Sequence, residues 1–144
     1  MIRHAGLVAQ RIGGFWRGVL IEGPSGSGKS DLALRCLDAG FQLAADDRVE
    51  LWTSGGRLFG RAPPVLAGLI EARGLGLLTL TALPLAEVAL VAHLGQPERA
   101  PDLETTEILG IVLPQLTISP WEASAPAKLS RALARFDAPI NRRM

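Results

Sequence analysis

Residues Gly23 to Ser30, with the sequence GPSGSGKS, are the stretch whose residue types and spacing best suit chemistry. Glycines in the pattern G-x-x-x-x-G-K-S let the backbone turn tightly, so that successive N–H groups face one concavity that suits polyphosphate. The Lys29 ammonium is a mobile positive charge for the β- and γ-phosphates, and the Ser30 hydroxyl is a hard oxygen ligand for Mg²⁺. The alternative is a Gly/Ser turn that happens to precede a helix. The predicted nucleotide-binding residues are Gly23, Pro24, Ser25, Gly26, Ser27, Gly28, Lys29 and Ser30.

Asp46 and Asp47 are the next candidates, because they follow Ser30 by sixteen and seventeen residues at the end of an apolar strand. Carboxylates there would lie beside the glycine-rich loop at 23–30, which has the pattern of a phosphate-binding loop (P-loop). This is the carboxyl edge of the sheet, where ligands bind. One acid can accept the proton of an attacking hydroxyl while the other supports Mg²⁺. We favour Asp46 as the base and Asp47 as the metal ligand, because strand alternation places them on opposite sides. A solvated turn after a strand is the alternative.

The run Glu71 to Gly76, with the sequence EARGLG, is a third unit. A carboxylate followed by a guanidinium and two glycines suits a loop that closes near phosphate. An exposed ion pair in a turn would have the same sequence, so this run alone favours neither interpretation.

The elements that must position these residues are a buried strand before the P-loop, at 18–22, and a helix after it, from about Lys29 to Gly40. A strand at 6–10 joins the first of these through a Gly13-Gly14 turn. Residues 41–45 are predicted as a second central strand that ends at the acidic pair. The remaining predictions are a hairpin of strands at 49–53 and 57–60, a helical turn at 65–71, strands at 77–80, 87–94 and 111–118, a mobile polar connection at 96–105, and a helix at 126–136 with Ser124 as its N-cap. This order is β-rich with few helices, unlike the regular alternation of an ordinary P-loop kinase.

The length of 144 residues predicts one domain, at 1–136, followed by a C-terminal tail at 137–144. A net charge of +1 argues against general nucleic-acid binding. The single cysteine, Cys36, excludes a disulfide framework and a zinc site built from cysteines. No signal peptide and no apolar run of membrane-spanning length is visible, so we expect a cytoplasmic protein without membrane insertion.

Taken together, these motifs resemble the catalytic domain of HPr kinase/phosphorylase, a bacterial family that phosphorylates a serine of the phosphocarrier protein HPr. The match is closest to the short alphaproteobacterial form, which lacks the family's N-terminal domain; because the P-loop begins at residue 23, we expect no such domain here. The implied fold is an α/β P-loop kinase domain of the HPr kinase type. The matching pieces, between about residues 3 and 80, are His4 before a strand, GPSGSGKS, Ala45-Asp46-Asp47-Arg48-Val49-Glu50, Ala62-Pro63-Pro64 and Glu71-Ala72-Arg73-Gly74-Leu75-Gly76.

The resemblance also implies roles for individual residues. Lys29 and Ser30 match the phosphate-binding lysine and the metal-binding serine, and Asp46 with Asp47 matches the acidic pair that supplies the catalytic base. The four further matches are Glu71 to a second Mg²⁺ ligand, Arg73 to the motif shared by the forward and reverse reactions, His4 to a histidine near the active site, and Arg99 to an arginine of a flexible loop that contacts the transferring phosphate. Without the resemblance, His4 would be taken as an exposed side chain near the terminus.

The chain departs from the family pattern after residue 80. The family's long glycine-rich loop is reduced to residues 81–84, and its final helices are missing. Residues 119–126, with the sequence SPWEASAP, replace a Pro-Val-x-x-Gly-Arg-type segment that is tied to dephosphorylation. The resemblance therefore supports the kinase reaction better than the phosphorylase reaction.

We expect an ATP- and Mg²⁺-dependent serine kinase that acts on an HPr-like phosphocarrier protein of the phosphotransferase system, with the reverse phosphorylase reaction and a homo-oligomer left open. One alternative is a kinase of the same fold with another substrate. The other is an ATP-sensing binding module that regulates a partner such as a sensor histidine kinase. The acidic pair favours an enzyme, since a sensor needs no base.

Overall fold

A computed structural model describes residues 1–136, which form ten strands, two α-helices and one short 3-10 helix. The predicted tail at 137–144 lies outside the described residues. The strands are β1 (Ile2–Ile12), β2 (Phe15–Glu22), β3 (Gln42–Ala45), β4 (Arg48–Ser54), β5 (Arg57–Arg61), β6 (Leu69–Ala72), β7 (Gly76–Thr79), β8 (Ala86–Leu94), β9 (Glu104–Ile108) and β10 (Ile111–Ile118). The helices are α1 (Lys29–Asp38) and α2 (Ala125–Phe136), and the 3-10 turn is Pro64–Leu66. The prediction of a β-rich α/β domain with few helices is confirmed.

Five strands close into a ring in the order β1, β4, β5, β8 and β2, because β2 pairs with both β1 and β8. Most pairs are antiparallel, but β2 with β8 and β8 with β10 are parallel. Parallel strands end at a common edge, so the carboxyl ends of β2, β8 and β10 lie together. The P-loop follows β2 directly, which puts it at the edge where open α/β sheets bind ligands.

Strand β2 is apolar and fully buried from Val19 to Ile21, where both of its faces are covered. Val19 and Ile21 face α1 and α2, in a cluster that also contains Leu32 of α1. Leu20 faces the other way and packs with side chains of the ring strands, including Leu7 of β1. The strand that leads into the P-loop is therefore held from both sides, which fixes where the loop begins.

Ring closure depends on a close approach at Gly18. A Cβ atom at this position would lie 2.7 Å from the carbonyl oxygen of Glu87 and 2.9 Å from the Leu7 Cδ1 atom. Leu7 is fully buried, so neither neighbour has room to move away.

We expect Gly18→Ala to lower the free energy of unfolding by about 1–3 kcal/mol, the usual effect of overpacking a core. Gly6→Ala is the matched control in β1, because the atoms nearest to its added methyl group lie at 3.9 Å. Chemical denaturation of both variants tests this. Equal stability of the two would show that the sheet relaxes at Gly18.

Strand β3 is not central, contrary to the prediction for residues 41–45. Within the described residues it pairs only with β1, at Leu7 to Ala9, while β4 pairs with β1 at Ile2 to His4. Strands β3 and β4 therefore run one after the other along the same side of β1, and the acidic pair occupies the interruption between them. Apolar composition alone could not reveal this, because β3 is buried by α1 and the ring as thoroughly as a central strand would be.

Two further predictions need correction. The helical turn at 65–71 is only Pro64–Leu66, since β6 then pairs with β7 and its alternation buries Ile70 and Ala72. The polar connection at 96–105 ends earlier, because β9 begins at Glu104 and pairs with β10. Both strands are short and partly polar, and each is defined by its hairpin partner.

The other elements agree with the sequence. The hairpin around Gly13-Gly14, the hairpin of β4 and β5 and the strand at 111–118 are confirmed. Helix α2 begins at Ala125, and the Ser124 carbonyl accepts the Lys128 N–H at 2.9 Å, as an N-cap residue does. Cys36 is fully buried in α1, and burial raises the pKa of its thiol to about 12, so it is a core residue without reactive character.

Neither helix formed by residues 1–136 combines the length and the apolar character that crossing a membrane requires.

Candidate active site

The P-loop is built by a tight turn between β2 and α1. The Ser27 N–H donates to the Pro24 carbonyl at 3.1 Å, and the Leu32 N–H donates to the Gly28 carbonyl at 2.9 Å as the first helical bond. Gly26 and Gly28 have φ angles of 79° and 101°, a left-handed conformation that favours glycine. This backbone leaves the N–H groups at the start of α1 free of helical partners, at the positive end of the helix.

Lys29 folds back over this loop. Its Nζ donates to the carbonyl of Gly23 at 2.7 Å and to that of Pro24 at 3.0 Å. The ammonium group is thus held over the P-loop and half-buried. A bound phosphate would offer it a charged acceptor in place of two neutral ones, and charge-assisted hydrogen bonds are stronger.

Asp46 joins all three sequence motifs. Its Oδ2 and Oδ1 atoms accept hydrogen bonds from the Ser30 hydroxyl at 2.9 and 3.0 Å, and Oδ2 also accepts the Glu71 N–H at 3.3 Å. The side chain is buried, and burial raises the pKa of Asp46, while the hydrogen bonds from Ser30 and from backbone N–H groups act in the opposite direction. The carboxylate therefore lies at the end of the P-loop, against the strand that begins the EARGLG run.

Asp47 differs from Asp46 in almost every respect. Its backbone has a φ angle of 68°, and its side chain is 67% exposed, with Arg48 Nε at 3.9 Å from Oδ2. Its carbonyl accepts the Ala5 N–H at 3.1 Å, which attaches the turn to β1. His4, the residue before Ala5, is exposed and pairs with Arg48 in the β1–β4 ladder. The β1–β4 register thus places His4 opposite Arg48, the residue that follows the acidic pair.

Within the described residues, the side chains of the other predicted site residues make no hydrogen bond or ion pair with Ser30 or Asp46. Glu71 contributes its backbone N–H to Asp46, while its side chain is exposed. Arg73 lies in the turn between β6 and β7, and Arg99 lies in the segment between β8 and β9. Both arginines are exposed, and within residues 1–136 neither makes a hydrogen bond or an ion pair. The structure does not bring Arg99 into contact with Ser30 or Asp46.

The residues present fit a nucleotide phosphate and Mg²⁺. The Ser30 hydroxyl and the Asp46 carboxylate are adjacent hard oxygen donors, which is the chemistry that Mg²⁺ requires. The Ser27 hydroxyl is buried and has no hydrogen-bond partner among the described residues, so the loop retains a polar group to satisfy. Among residues 1–136, no three His, Cys, Asp or Glu side chains converge to hold an ion by themselves. A P-loop metal site takes its other ligands from phosphates and water.

A chain of polar side chains that the sequence did not indicate lies at the same edge of the sheet. Glu22, the last residue of β2, accepts from Arg3 Nη1 at 2.7 Å, and its other oxygen lies 3.8 Å from His93 Nδ1. His93 Nε2 lies 3.0 Å from Gln115 Oε1 of β10. Only the parallel register, which sets Glu22 opposite His93, reveals this chain. The available signal was that each polar residue lies at the carboxyl end of an apolar run, Glu22 as the last residue of β2 and His93 as the next to last of β8.

Trp121 was also missed as a neighbour of the P-loop. A Cβ atom placed on Gly28 would meet three carbons of the indole six-membered ring, at 2.9, 3.1 and 3.4 Å. The ring therefore lies directly against the glycine that begins α1. A tryptophan in a segment that departs from the family pattern was the available signal.

Comparisons with known proteins agree with this geometry. A sequence model of the HPr Serine kinase C-terminal domain matches residues 4–129. An HPr kinase/phosphorylase of Limosilactobacillus reuteri is 36% identical over 132 residues, covering 81% of this chain and 39% of the relative. One from Clostridium beijerinckii is 36% identical over 115 residues, covering 70% of this chain and 38% of the relative. The chain thus spans about two fifths of the length of the curated relatives that it matches.

A solved structure of the Hpr(Ser) kinase/phosphatase from Coxiella burnetii is also similar. The TM-score is 0.80 at 27% sequence identity, and the alignment covers 97% of this chain and 98% of that one. This similarity confirms the P-loop kinase fold of the HPr kinase type. The family model covers most of the chain and includes the P-loop, the acidic pair and the EARGLG run. The chain therefore belongs to the HPr Serine kinase C-terminal domain family.

Proposed function

We propose that this chain is a serine kinase domain that transfers the γ-phosphoryl group of ATP to a serine hydroxyl of an HPr-like phosphocarrier protein. The observation that supports it most directly is the hydrogen bond between the Ser30 hydroxyl and the Asp46 carboxylate, with the exposed Asp47 carboxylate next to it. Phosphorylation of a hydroxyl needs a site for the phosphates of ATP and, next to it, a base that the hydroxyl can reach. The names of the similar proteins support the choice of HPr as substrate.

The chain's own groups supply binding and charge. Backbone N–H groups from Gly26 to Ser30 face the phosphates, and the Lys29 ammonium leaves the carbonyls of Gly23 and Pro24 to contact them. The backbone N–H groups are fixed by the fold, and Lys29 reorients when the nucleotide binds, so these groups are in place before negative charge develops in the transfer step.

Mg²⁺ would fit beside the Ser30 hydroxyl and the Asp46 carboxylate, and Glu71, whose backbone N–H bonds Asp46, would supply a second carboxylate. When bound, it would neutralise charge on the β- and γ-phosphates. The Asp46 carboxylate accepts hydrogen bonds from the Ser30 hydroxyl and the Glu71 N–H, which fix it next to Ser30. It is therefore suited to act as a ligand of Mg²⁺ together with Ser30.

Asp47 is the better candidate for the base. A base must reach the hydroxyl of a protein substrate, and Asp47 is exposed while Asp46 is 5% exposed. In this role Asp47 accepts the serine proton as the new O–P bond forms and ADP leaves. The assignment exchanges the two roles that strand alternation suggested, because the chain leaves the strand at Ala45 and Asp47 turns outward at a positive φ.

The remaining roles belong to the same proposal. His4 lies beside the acidic pair, and Arg73 with Arg99 would reach the phosphate once a protein substrate covers the site. The reverse reaction, in which inorganic phosphate removes the group from phosphoserine, would use the same groups in the opposite direction. An HPr-like substrate implies a cytoplasmic location, and assembly into a homo-oligomer is compatible with the proposal.

Incubation of the purified chain with labelled ATP, Mg²⁺ and HPr-like proteins tests the proposal. We expect label on HPr, none on an HPr variant in which the target serine is alanine, and none when a chelator removes Mg²⁺. Transfer that is fully retained with chelator would contradict the metal site. Absence of transfer to every HPr-like protein, despite ATP binding, would contradict the phosphorylation of HPr.

A second candidate is an ATP-sensing binding module, which is favoured by one observation. Among residues 1–136, Arg99 makes no contact with the P-loop or the acidic pair, so the free chain does not hold Arg99 at the site of the transferring phosphate. The same assay separates the two, since a sensor binds ATP without transferring phosphate.

A further inference from the structure

Trp121 lies at the carboxyl edge of the parallel strands, immediately after β10. Strands β2, β8 and β10 end at this edge, and the P-loop leaves it from β2. The distal carbons of the indole ring would meet a Cβ atom on Gly28 at 2.9–3.4 Å. Trp121 is nevertheless 65% exposed, so the rest of the indole is open to a ligand.

The backbone on both sides of Trp121 is anchored to the P-loop helix. Arg35 of α1 donates from Nη2 to the Pro120 carbonyl and from Nη1 to the Glu122 carbonyl, the latter at 3.2 Å. Its Nε atom is held by Asp31 at 3.0 Å. The position of Trp121 beside the P-loop is therefore built into the fold and does not depend on the indole contact alone.

We propose that the Trp121 indole is the surface on which the nucleobase of ATP stacks. The inference rests on the proposed function, since it requires the triphosphate to occupy the P-loop. Phosphates at the start of α1 direct the rest of the nucleotide outward along the carboxyl edge of the sheet, where Trp121 stands. The other strongly exposed aromatic residue within 1–136, Phe15, begins β2 and so lies at the opposite end of that strand from the P-loop.

An exposed indole suits any nucleobase. Every base has a π face, so an exposed indole binds bases by stacking without reading their edges, and such contacts are sensitive to removal of the ring. Trp121 belongs to the segment at 119–126, which differs from the family pattern. In this proposal the segment at 119–126 contributes to nucleotide binding.

The alternative is that Trp121 only packs on Gly28 and shapes the P-loop. A comparison of ATP with inorganic tripolyphosphate separates the two, because both ligands use the P-loop but only ATP has a base. Calorimetry would measure the Kd of each ligand, with Mg²⁺, for the wild-type chain, Trp121→Ala and Trp121→Phe. Phe15→Ala is the matched control for loss of an exposed ring.

We expect Trp121→Ala to weaken ATP binding about 5- to 100-fold and to leave tripolyphosphate binding unchanged. Trp121→Phe should recover most of the ATP affinity, and Phe15→Ala should alter neither ligand. Equal weakening of ATP and tripolyphosphate in Trp121→Ala would overturn the proposal in favour of a packing role. Unchanged ATP affinity in Trp121→Ala would overturn it as well.

Fluorescence gives a second measurement. ATP should protect tryptophan emission from acrylamide quenching, whereas tripolyphosphate should not. The effect of ATP should disappear in Trp121→Phe, and its persistence in that variant would contradict stacking on Trp121.

The experiments distinguish failure of the stacking proposal from failure of the kinase proposal. A wild-type chain that binds neither ligand overturns both, whereas binding of ATP that depends on Trp121 without transfer to HPr supports stacking and contradicts the phosphorylation of HPr.

Discussion

Replacing Lys29 by alanine is expected to lower phosphoryl transfer by at least about 10²–10³-fold and to weaken ATP binding. The magnitude is that of removing one fixed donor from a site where negative charge develops. The structure also predicts a modest stability effect, because Lys29 Nζ bonds the carbonyls of Gly23 and Pro24 within the P-loop. Those carbonyls are near the surface, so water can replace the lost donor.

The only other lysine of the chain provides the matched control. Lys128 forms an exposed ion pair with Glu122, and exposed pairs of this kind contribute little to stability. Lys128→Ala should therefore retain transfer, while thermal unfolding of both variants verifies that each is folded. Calorimetry that showed unchanged ATP affinity in folded Lys29→Ala would contradict the phosphate-binding role.

Replacing Asp47 by asparagine should lower turnover by about 10²–10⁴-fold, the typical contribution of a general base. An amide has the shape of the carboxylate but does not accept the serine proton, so ATP affinity should stay close to that of the wild type. The effect should appear in kcat at saturating ATP and HPr-like substrate. Near wild-type turnover would remove Asp47 from the chemistry.

Asp46→Asn should also impair turnover, but by weakening the binding of Mg²⁺, and a higher Mg²⁺ concentration should restore part of the rate. The reverse result, in which Mg²⁺ restores part of the rate of Asp47→Asn but not of Asp46→Asn, would instead identify Asp46 as the base.

The stability of Asp46→Asn provides a separate test, of the effect of burying this carboxylate. Burial raises the pKa of Asp46, so the ionised form is disfavoured in the fold relative to the unfolded chain. The stability linked to the protonated form is therefore lost as the pH rises from the ordinary pKa of an aspartate through the higher pKa of Asp46 in the fold. Above that range the buried charge is unfavourable, so removing it in Asp46→Asn should not lower the free energy of unfolding.

Local motifs were the part of the site that sequence predicted well. The strand at 18–22, the P-loop and the helix from Lys29 all follow from residues that interact with near neighbours in the chain. Hairpins behave in the same way, because their register is fixed by the turn, as at Gly13-Gly14. The resemblance added His4, which the β1–β4 pairing places opposite Arg48, the residue that follows the acidic pair.

Long-range pairing was the part that sequence could not supply. Closure of the ring through β2 and β8 and the edge position of β3 depend on contacts between strands far apart in the chain. Buried strands look alike in composition wherever they stand in a sheet, so apolar patterns do not reveal their neighbours. The opposite environments of Asp46 and Asp47 have the same origin, since they arise where β3 and β4 successively pair with β1.

The sequence by itself determined that this chain has a glycine-rich P-loop between a strand and a helix, an acidic pair after a buried strand, and membership of the HPr kinase family. It could do so because these features are written in short runs of residues whose chemistry is local. Only the tertiary structure decided that Asp46 bonds Ser30 while Asp47 faces solvent, that Glu22 meets His93, and that Trp121 stands against Gly28. Each of these contacts joins residues whose proximity depends on how the sheet closes and where its parallel strands end.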